Sequence, residues 1–342
     1  MTSIERTAYP RFKRQFTAKE LTEVYTPTPS EIAFAYATTN GESNILNLVV
    51  ILKAFQRLGY FPSLTDVPLK IVNQIRSSLK FSQKIVLGYE NRKTMYRHRT
   101  AIREYLQVNQ YNQKARHIAV KAVSESAAIM DNPADLINVA IAELIKHRSE
   151  LPGFNTLNRL VHRVRYVVNQ RLFSLVLSRI DEDYQERLLD LLDRHPLEYQ
   201  TPFNSLKQLP KSPTRKNIND FIVHLLWLDA LGDVKPILRD ITTAKIHHFA
   251  AEARVLDAHE IKDFNLPKRM TLIVCLIYSA QVTARDSLIE MFLRQMRSIN
   301  NDAKKELELI KQKIQEKQER LVGVLTNVLQ VFTDEQSRLS VQ

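Results

Sequence analysis

Glycine is scarce in this chain, six in 342 residues, and it falls where segments of helical apolar spacing come to an end. Thr28-Pro-Ser-Glu31 supplies a capping hydroxyl, a proline at the first helical position and a glutamate three residues on, so a helix opens there. Ile45, Leu48, Val49, Leu52 and Phe55 keep the helical period up to Gly59. Asp66-Val-Pro68 starts another helix, with Leu69, Val72, Ile75 and Leu79 expected inside and Lys70, Asn73, Ser77 and Lys80 outside. Beyond Gly88, Met95, Ile102 and Leu106 stripe a helix over 92–107. Asn132-Pro-Ala-Asp135 caps a helix to about Arg148, and Asn155-Thr156 opens a long one to about Arg179. Leu157, Leu160, Val161, Val164 and Val168 are its core face. With no β-alternation and no internal repeat, the expected fold class is all-α.

Pro196, Pro202, Pro210 and Pro213 mark 195–214 as the best linker candidate. Helices are expected near 216–231, 240–256 and 267–300. Residues 302–320 hold 11 charged side chains of both signs in 19, followed by Leu321, Leu325, Val328 and Phe332. That pattern fits either a solvated long helix or a coiled-coil contact. The expected organisation is several small helical domains in series. A domain with helix-turn-helix-like units covers 1–110, a second helical unit 111–180, an acidic helix and Pro-rich linker 181–215, and a long-helix assembly region 216–342.

The 44% hydrophobic and 25% charged fractions exclude wholesale disorder. A single cysteine excludes a disulfide framework and a cysteine-based zinc site, and points to a reducing compartment. The longest apolar run, Leu272 to Ala280, falls well short of the roughly 20 residues of a spanning helix. The first six residues lack the apolar core of a secretory signal. These features predict a cytosolic chain with no membrane partner.

The net charge of +12 is lopsided. Residues 1–179 hold 26 Lys/Arg against 13 Asp/Glu, whereas 180–342 hold 23 against 24. A surplus confined to one half favours a polyanion, nucleic acid above all, through phosphate contacts and counterion release. The competing explanation is a solvated basic surface.

The surplus singles out three helices as DNA-binding candidates. On 92–107, Arg92, Arg99 and Arg103 share a face with Arg97 beside it, and Lys93 and His98 adjoin them. Arginine there can bond guanine bidentately in a major groove and clamp phosphates. Lys70, Asn73 and Ser77 offer a neighbouring contact from the preceding helix. Arg159, Arg163, Tyr166 and Gln170 line one face of the long helix at offsets 0, 4, 7 and 11. The local carboxylates Glu90 and Glu104 are too few to neutralise the cations of 92–103, so some charge must face outward.

No catalytic or metal-binding residue is assigned. There is no Gly-rich phosphate loop, His-Glu-x-x-His helix or Gly-x-Ser-x-Gly elbow. His247 and His248 point different ways on a helix. Asp181, Asp183, Glu186, Asp190 and Asp193 read as a solvated face, and Cys275 as a small core residue.

Several stretches resemble one family. They are Leu48-Val-Val-Ile-Leu-Lys-Ala-Phe-Gln-Arg-Leu-Gly-Tyr-Phe-Pro62, Arg97-His-Arg-Thr-Ala-Ile-Arg103 and Glu150-Leu-Pro-Gly-Phe-Asn-Thr-Leu-Asn-Arg-Leu160. Pro133-Ala-Asp-Leu-Ile137, Leu206-Lys-Gln-Leu-Pro210 and Pro267-Lys-Arg-Met270 follow in the same order. Together they are similar to the N-terminal region of Tn3-family transposases. Some members place glycine soon after the Ile-Arg helix, where this chain has Gln107.

The resemblance implies a region that recognises the transposon's terminal inverted repeats in double-stranded DNA, with a helical continuation that helps assemble a homodimer in the full-length protein. It also implies that the Mg²⁺-holding Asp-Asp-Glu catalytic domain lies outside this chain. On that expectation the chain is a fragment or truncated reading frame, inactive alone and without a cofactor, in the bacterial cytosol and nucleoid-associated when bound. A helical protein–protein scaffold with an incidental basic surface is the alternative, and an autonomous recombinase or nuclease a third.

Overall fold

The computed structural model describes residues 3–194 and 200–339, with no strand among them. Helices α1 (Ala18–Tyr25), α2 (Pro29–Thr38), α3 (Glu42–Leu58), α4 (Leu69–Ser78) and α5 (Arg92–Leu106) come first. Then follow α6 (Gln113–Ala127), α7 (Pro133–Lys146), α8 (Phe154–Leu177), α9 (Glu182–Asp190) and α10 (Pro202–Ser205). The last are α11 (Arg215–Ala230), α12 (Thr243–Val255), α13 (Ala258–Lys262) and α14 (Leu266–Leu339). The protein is all-α. It divides into two compact units. One comprises the residues up to Glu182 with Ile237–Phe249 and Phe264–Thr271; the other comprises Asp183–Pro236, Ala250–Asp263 and the residues from Leu272 on.

In the first unit α3 is buried all round from Ile45 to Phe55, which makes it the central helix of a bundle. Tyr25 of α1, Ala35 of α2, Ile71, Val72 and Ile75 of α4 and Ile102 of α5 close on it. The capping box forms: Glu31 N–H donates to Thr28 Oγ1, and Thr28 N–H to Glu31 Oε2 at 2.8 Å. Glu31 is itself buried, and its carboxylate also takes hydrogen bonds from Lys53 at 3.2 Å and Gln56 at 2.7 Å. Leu69 departs from expectation, being 76% exposed. It sits on the outer side of the first turn, and the inward stripe is Ile71, Val72, Ile75 and Leu79.

Helices α6, α7 and α8 make a second bundle. Alanines 115, 119 and 127 on α6 let α7 approach closely, and Leu136, Ile137, Leu144, Leu157 and Val161 fill the core. Tyr9 plugs one end, donating its hydroxyl to the Pro152 carbonyl at 2.9 Å.

The C-terminal ends of α3, α5 and α7 meet at one junction that joins the two bundles. Gly59, Gln107 and Arg148 all take the left-handed conformation there, at φ of 70°, 55° and 47°. Asn109 N–H donates to the Arg148 carbonyl, Glu150 N–H to Asn109 and Leu151 N–H to Gly59, each at 2.8 Å. Gly59 has a second reason to lack a side chain: a Cβ would sit 3.3 Å from Leu151 Cδ1. Gly59→Ala should therefore cost at least about 1–2 kcal/mol, whereas Gln107→Gly relieves left-handed strain and should gain up to about 1 kcal/mol. Thermal melts of the two variants should move in opposite directions.

In the second unit Phe203, Leu206, Phe221, Leu228 and Ile261 are buried with Leu272 to Ile277 of α14. Gln281 Nε2 ties α14 to the end of α11, donating to the carbonyls of Leu228 at 2.9 Å and Gly232 at 3.0 Å. Of the linker candidate, 195–199 lie outside the described residues, and Pro202 opens α10. The helix expected over 267–300 runs on unbroken to Leu339. By length and composition Leu266–Val331 could cross a membrane, but 56% of its most apolar window is buried inside the protein, as in a core helix.

Candidate nucleic-acid interface

Asn91 caps α5, its side chain accepting the Lys93 N–H at 2.8 Å. Ile102, with Met95 and Leu106 partly covered, seats the helix on the α3 bundle. Arg92, Lys93 and Arg97 are exposed, with Tyr96 between them. Arg99 and Arg103 turn inward instead, their guanidinium carbons 5.3 and 5.0 Å from the Phe61 ring centroid. Arg103 Nε also donates to Glu150 Oε2 at 2.8 Å, with both side chains only about 15% exposed. The face expected to be free thus splits. Its C-terminal half is held by Phe61 and a carboxylate from the junction, not by Glu90 or Glu104, and the outward cations are Arg92, Lys93 and Arg97.

His98 is corrected outright as a candidate contact, because it is fully buried with Nδ1 2.8 Å from the Tyr89 hydroxyl. Burial, then the positive charge of Arg97, pushes its pKa down to about 4. The folded protein therefore keeps His98 neutral while the unfolded chain gains a proton below about pH 6.5. Stability should fall as pH drops from about 6.5 to about 4, by up to about 3 kcal/mol. Urea unfolding at pH 7 and pH 4.5 checks this, and His98→Gln should have a flatter pH dependence than the parent.

The other candidates lie at the surface. Lys70, Asn73 and Ser77 of α4 are exposed, with Asn73 Oδ1 accepting from Arg76 at 2.8 Å. On α8, Arg159, Arg163 and Tyr166 are exposed and Gln170 is half-buried. Arg159 Nε donates back to the Asn155 carbonyl at 3.3 Å. Lys114, Arg116, His117 and Lys121 on α6 add exposed basic groups that the sequence reading passed over. Their signal was the outward face opposite Ala115, Ala119 and Val123. Both bundles of the first unit thus carry an exposed basic helix face, and the C-terminal junction sets the spacing between them.

Beneath this surface lies a buried ionic cluster centred on Asp131, whose side chain is 2% exposed. It accepts hydrogen bonds from Lys245 Nζ, from Asn169 Nδ2 at 2.9 Å and from Arg165 Nη1 at 3.1 Å. His248 Nε2 is 2.9 Å from Oδ2, the oxygen that Arg165 also reaches. Lys245 is fully buried and donates also to Asn169 Oδ1 at 2.7 Å. Burial by itself would raise the Asp131 pKa, but the hydrogen bonds from His248, Lys245 and Asn169 hold the carboxyl well below the ordinary range. Burial lowers the pKa of Lys245 while Asp131 pulls it the other way. This arrangement braces α7, α8 and the first turns of α12; it offers no open ligand position. Among the described residues no three His, Cys, Asp or Glu side chains gather as metal ligands.

A family model described as a domain of unknown function, DUF4158, matches residues 1–164, which take in α1 to α7 and the first turns of α8. The "Transposase for transposon Tn2501" of Escherichia coli is 23% identical over 288 residues, 82% of this chain and 29% of that protein. The chain is thus similar, at low identity, to proteins named as transposases. The "Transposase for transposon gamma-delta" of Escherichia coli (strain K12) is 22% identical over 270 residues, 78% of this chain and 27% of that protein. The "Transposase for transposon Tn1546" of Enterococcus faecium is 23% identical over 306 residues, with coverages of 85% and 30%. This chain spans less than a third of the length of the curated relatives it matches.

Proposed function

We propose that the chain is the DNA-recognition and assembly portion of a Tn3-family transposase, binding the terminal inverted repeats of its transposon in the bacterial cytosol. The observation that carries the proposal is the pair of exposed basic helix faces, α5 with Arg92, Lys93 and Arg97 and α8 with Arg159 and Arg163, fixed at a set spacing within one unit of a transposase relative. Each helix protrudes enough cationic side chain to enter a major groove or clamp its flanking phosphates. In the full-length protein two copies assemble, and strand chemistry belongs to a part of the transposase outside this chain. No cofactor acts in the portion described here.

Arg97→Ala and Arg163→Ala test the two faces separately on a duplex carrying the transposon end. Each should weaken binding by about 1–3 kcal/mol if the side chain meets a base, or reduce the salt slope by about one if it holds a phosphate. Full affinity and an unchanged slope in both variants would remove α5 and α8 from the interface.

A further inference from the structure

Between the start of α4 and the outer side of α5 the first unit carries an open cavity of about 580 Å³, within the roughly 300–1,000 Å³ of ligand sites. Ile51, Val67, Leu87 and Met95 give it apolar walls. Thr65 and Arg99 bring polar groups to the same space. The Arg99 guanidinium rests on Phe61, and its Nε has no hydrogen-bond partner among the described residues. Leu69, the first residue of α4, borders the cavity and is 76% exposed. Lys70 beside it, and Arg92 one turn before Met95, are exposed cations.

We propose that this cavity takes a nucleobase turned out of the bound duplex, and that Leu69 enters the gap the base leaves in the stack. The proposal rests on the DNA reading above and deepens it. A lone exposed leucine is ordinary on a protein surface. Leu69 differs in standing between a cavity and the cations of two candidate DNA helices. Aliphatic side chains in such a position enter base steps and unstack them.

The lining matches an extruded base. Its ring faces are apolar and fit the aliphatic walls, while its edge carries carbonyl oxygens and ring nitrogens that accept from Arg99 and from the Thr65 hydroxyl. The phosphates on either side of the extruded nucleotide meet Lys70 and Arg92. A stacked base offers only its edge to the groove and cannot fill the cavity. An apolar peptide would cover the walls, but it brings no acceptor to Arg99 and no negative charge to the flanking cations. Charge complementarity therefore selects the nucleotide.

The test uses the full chain and duplexes bearing the transposon end, with 2-aminopurine at one position at a time and a distal dye whose anisotropy reports binding. Binding should raise the 2-aminopurine fluorescence about threefold or more at one position and leave the others nearly unchanged. A mismatch at that position should tighten binding by about tenfold, because extrusion costs least where pairing is already lost. Leu69→Ala removes the wedge and Thr65→Trp fills the cavity, and each should abolish most of the fluorescence rise. Both residues are exposed, so circular dichroism and melting temperature should stay with the parent. Binding without a brightened position, or a rise that survives in both variants, would overturn the proposal and leave the DNA reading standing. Loss of binding to the transposon end in the parent would overturn both.

Discussion

Asp131→Ala should destabilise the first unit by about 3–5 kcal/mol, because it strands the fully buried ammonium of Lys245 without its carboxylate. Asn169 alone then faces that charge, Arg165 and His248 lose their acceptor, and the braces between α7, α8 and α12 loosen together. The carboxylate is held ionised well below its ordinary range, so its contribution is complete above about pH 4 and disappears only as pH falls through the depressed value of the folded state. Asp131→Asn combined with Lys245→Met removes both charges and keeps the volume, and should recover much of the loss. Denaturant unfolding of the two single variants and the double closes a cycle whose coupling should exceed about 2 kcal/mol. Additive losses would mean that the cluster is a set of independent contacts.

The second large effect concerns salt. If the basic faces of α5 and α8 dock against duplex backbone and engage roughly six to ten phosphates, affinity should drop by about 10³–10⁵ between 50 and 200 mM salt. Removing Arg92, Lys93 and Arg97 together should lower the slope of log K against log salt by about three times 0.9. The fold should tolerate this triple change, since none of the three side chains is buried. A nearly flat dependence in the parent would favour the scaffold alternative, in which the surplus charge of the first half serves solubility.

Local rules carried most of the fold. The capping box at Thr28, the stop at Gly59 and the cap at Asn132 each follow from residues within one turn, and all three lie where that chemistry places them. Leu69 failed because it is the first residue of α4, where helical period alone does not tell whether a neighbouring element covers the side chain. The candidate interface was less legible. Helical spacing grouped Arg92, Arg99 and Arg103, but the groups that capture the last two, Phe61 and Glu150, come from outside the helix, Glu150 lying 47 residues beyond Arg103. Asp131 reads locally as the residue before a helix cap, and its main partner is 114 residues away. His98 shows the same limit: nothing in Arg97-His-Arg99 distinguishes a buried histidine from an exposed one, and only the tertiary contact with Tyr89 does so. At Gln107 the left-handed cap is a conformation that glycine would take without strain.

The central claim is that this chain recognises transposon ends, and competition at physiological salt tests it most directly. A labelled duplex bearing the terminal inverted repeat would be bound by the full chain and challenged with unlabelled repeat or with a scrambled duplex of equal length and composition. Specific recognition predicts that the repeat competes at least about 10³-fold better than the scramble. Equal competition by the two duplexes would contradict it, and would reduce the basic faces of α5 and α8 to a surface that holds any DNA.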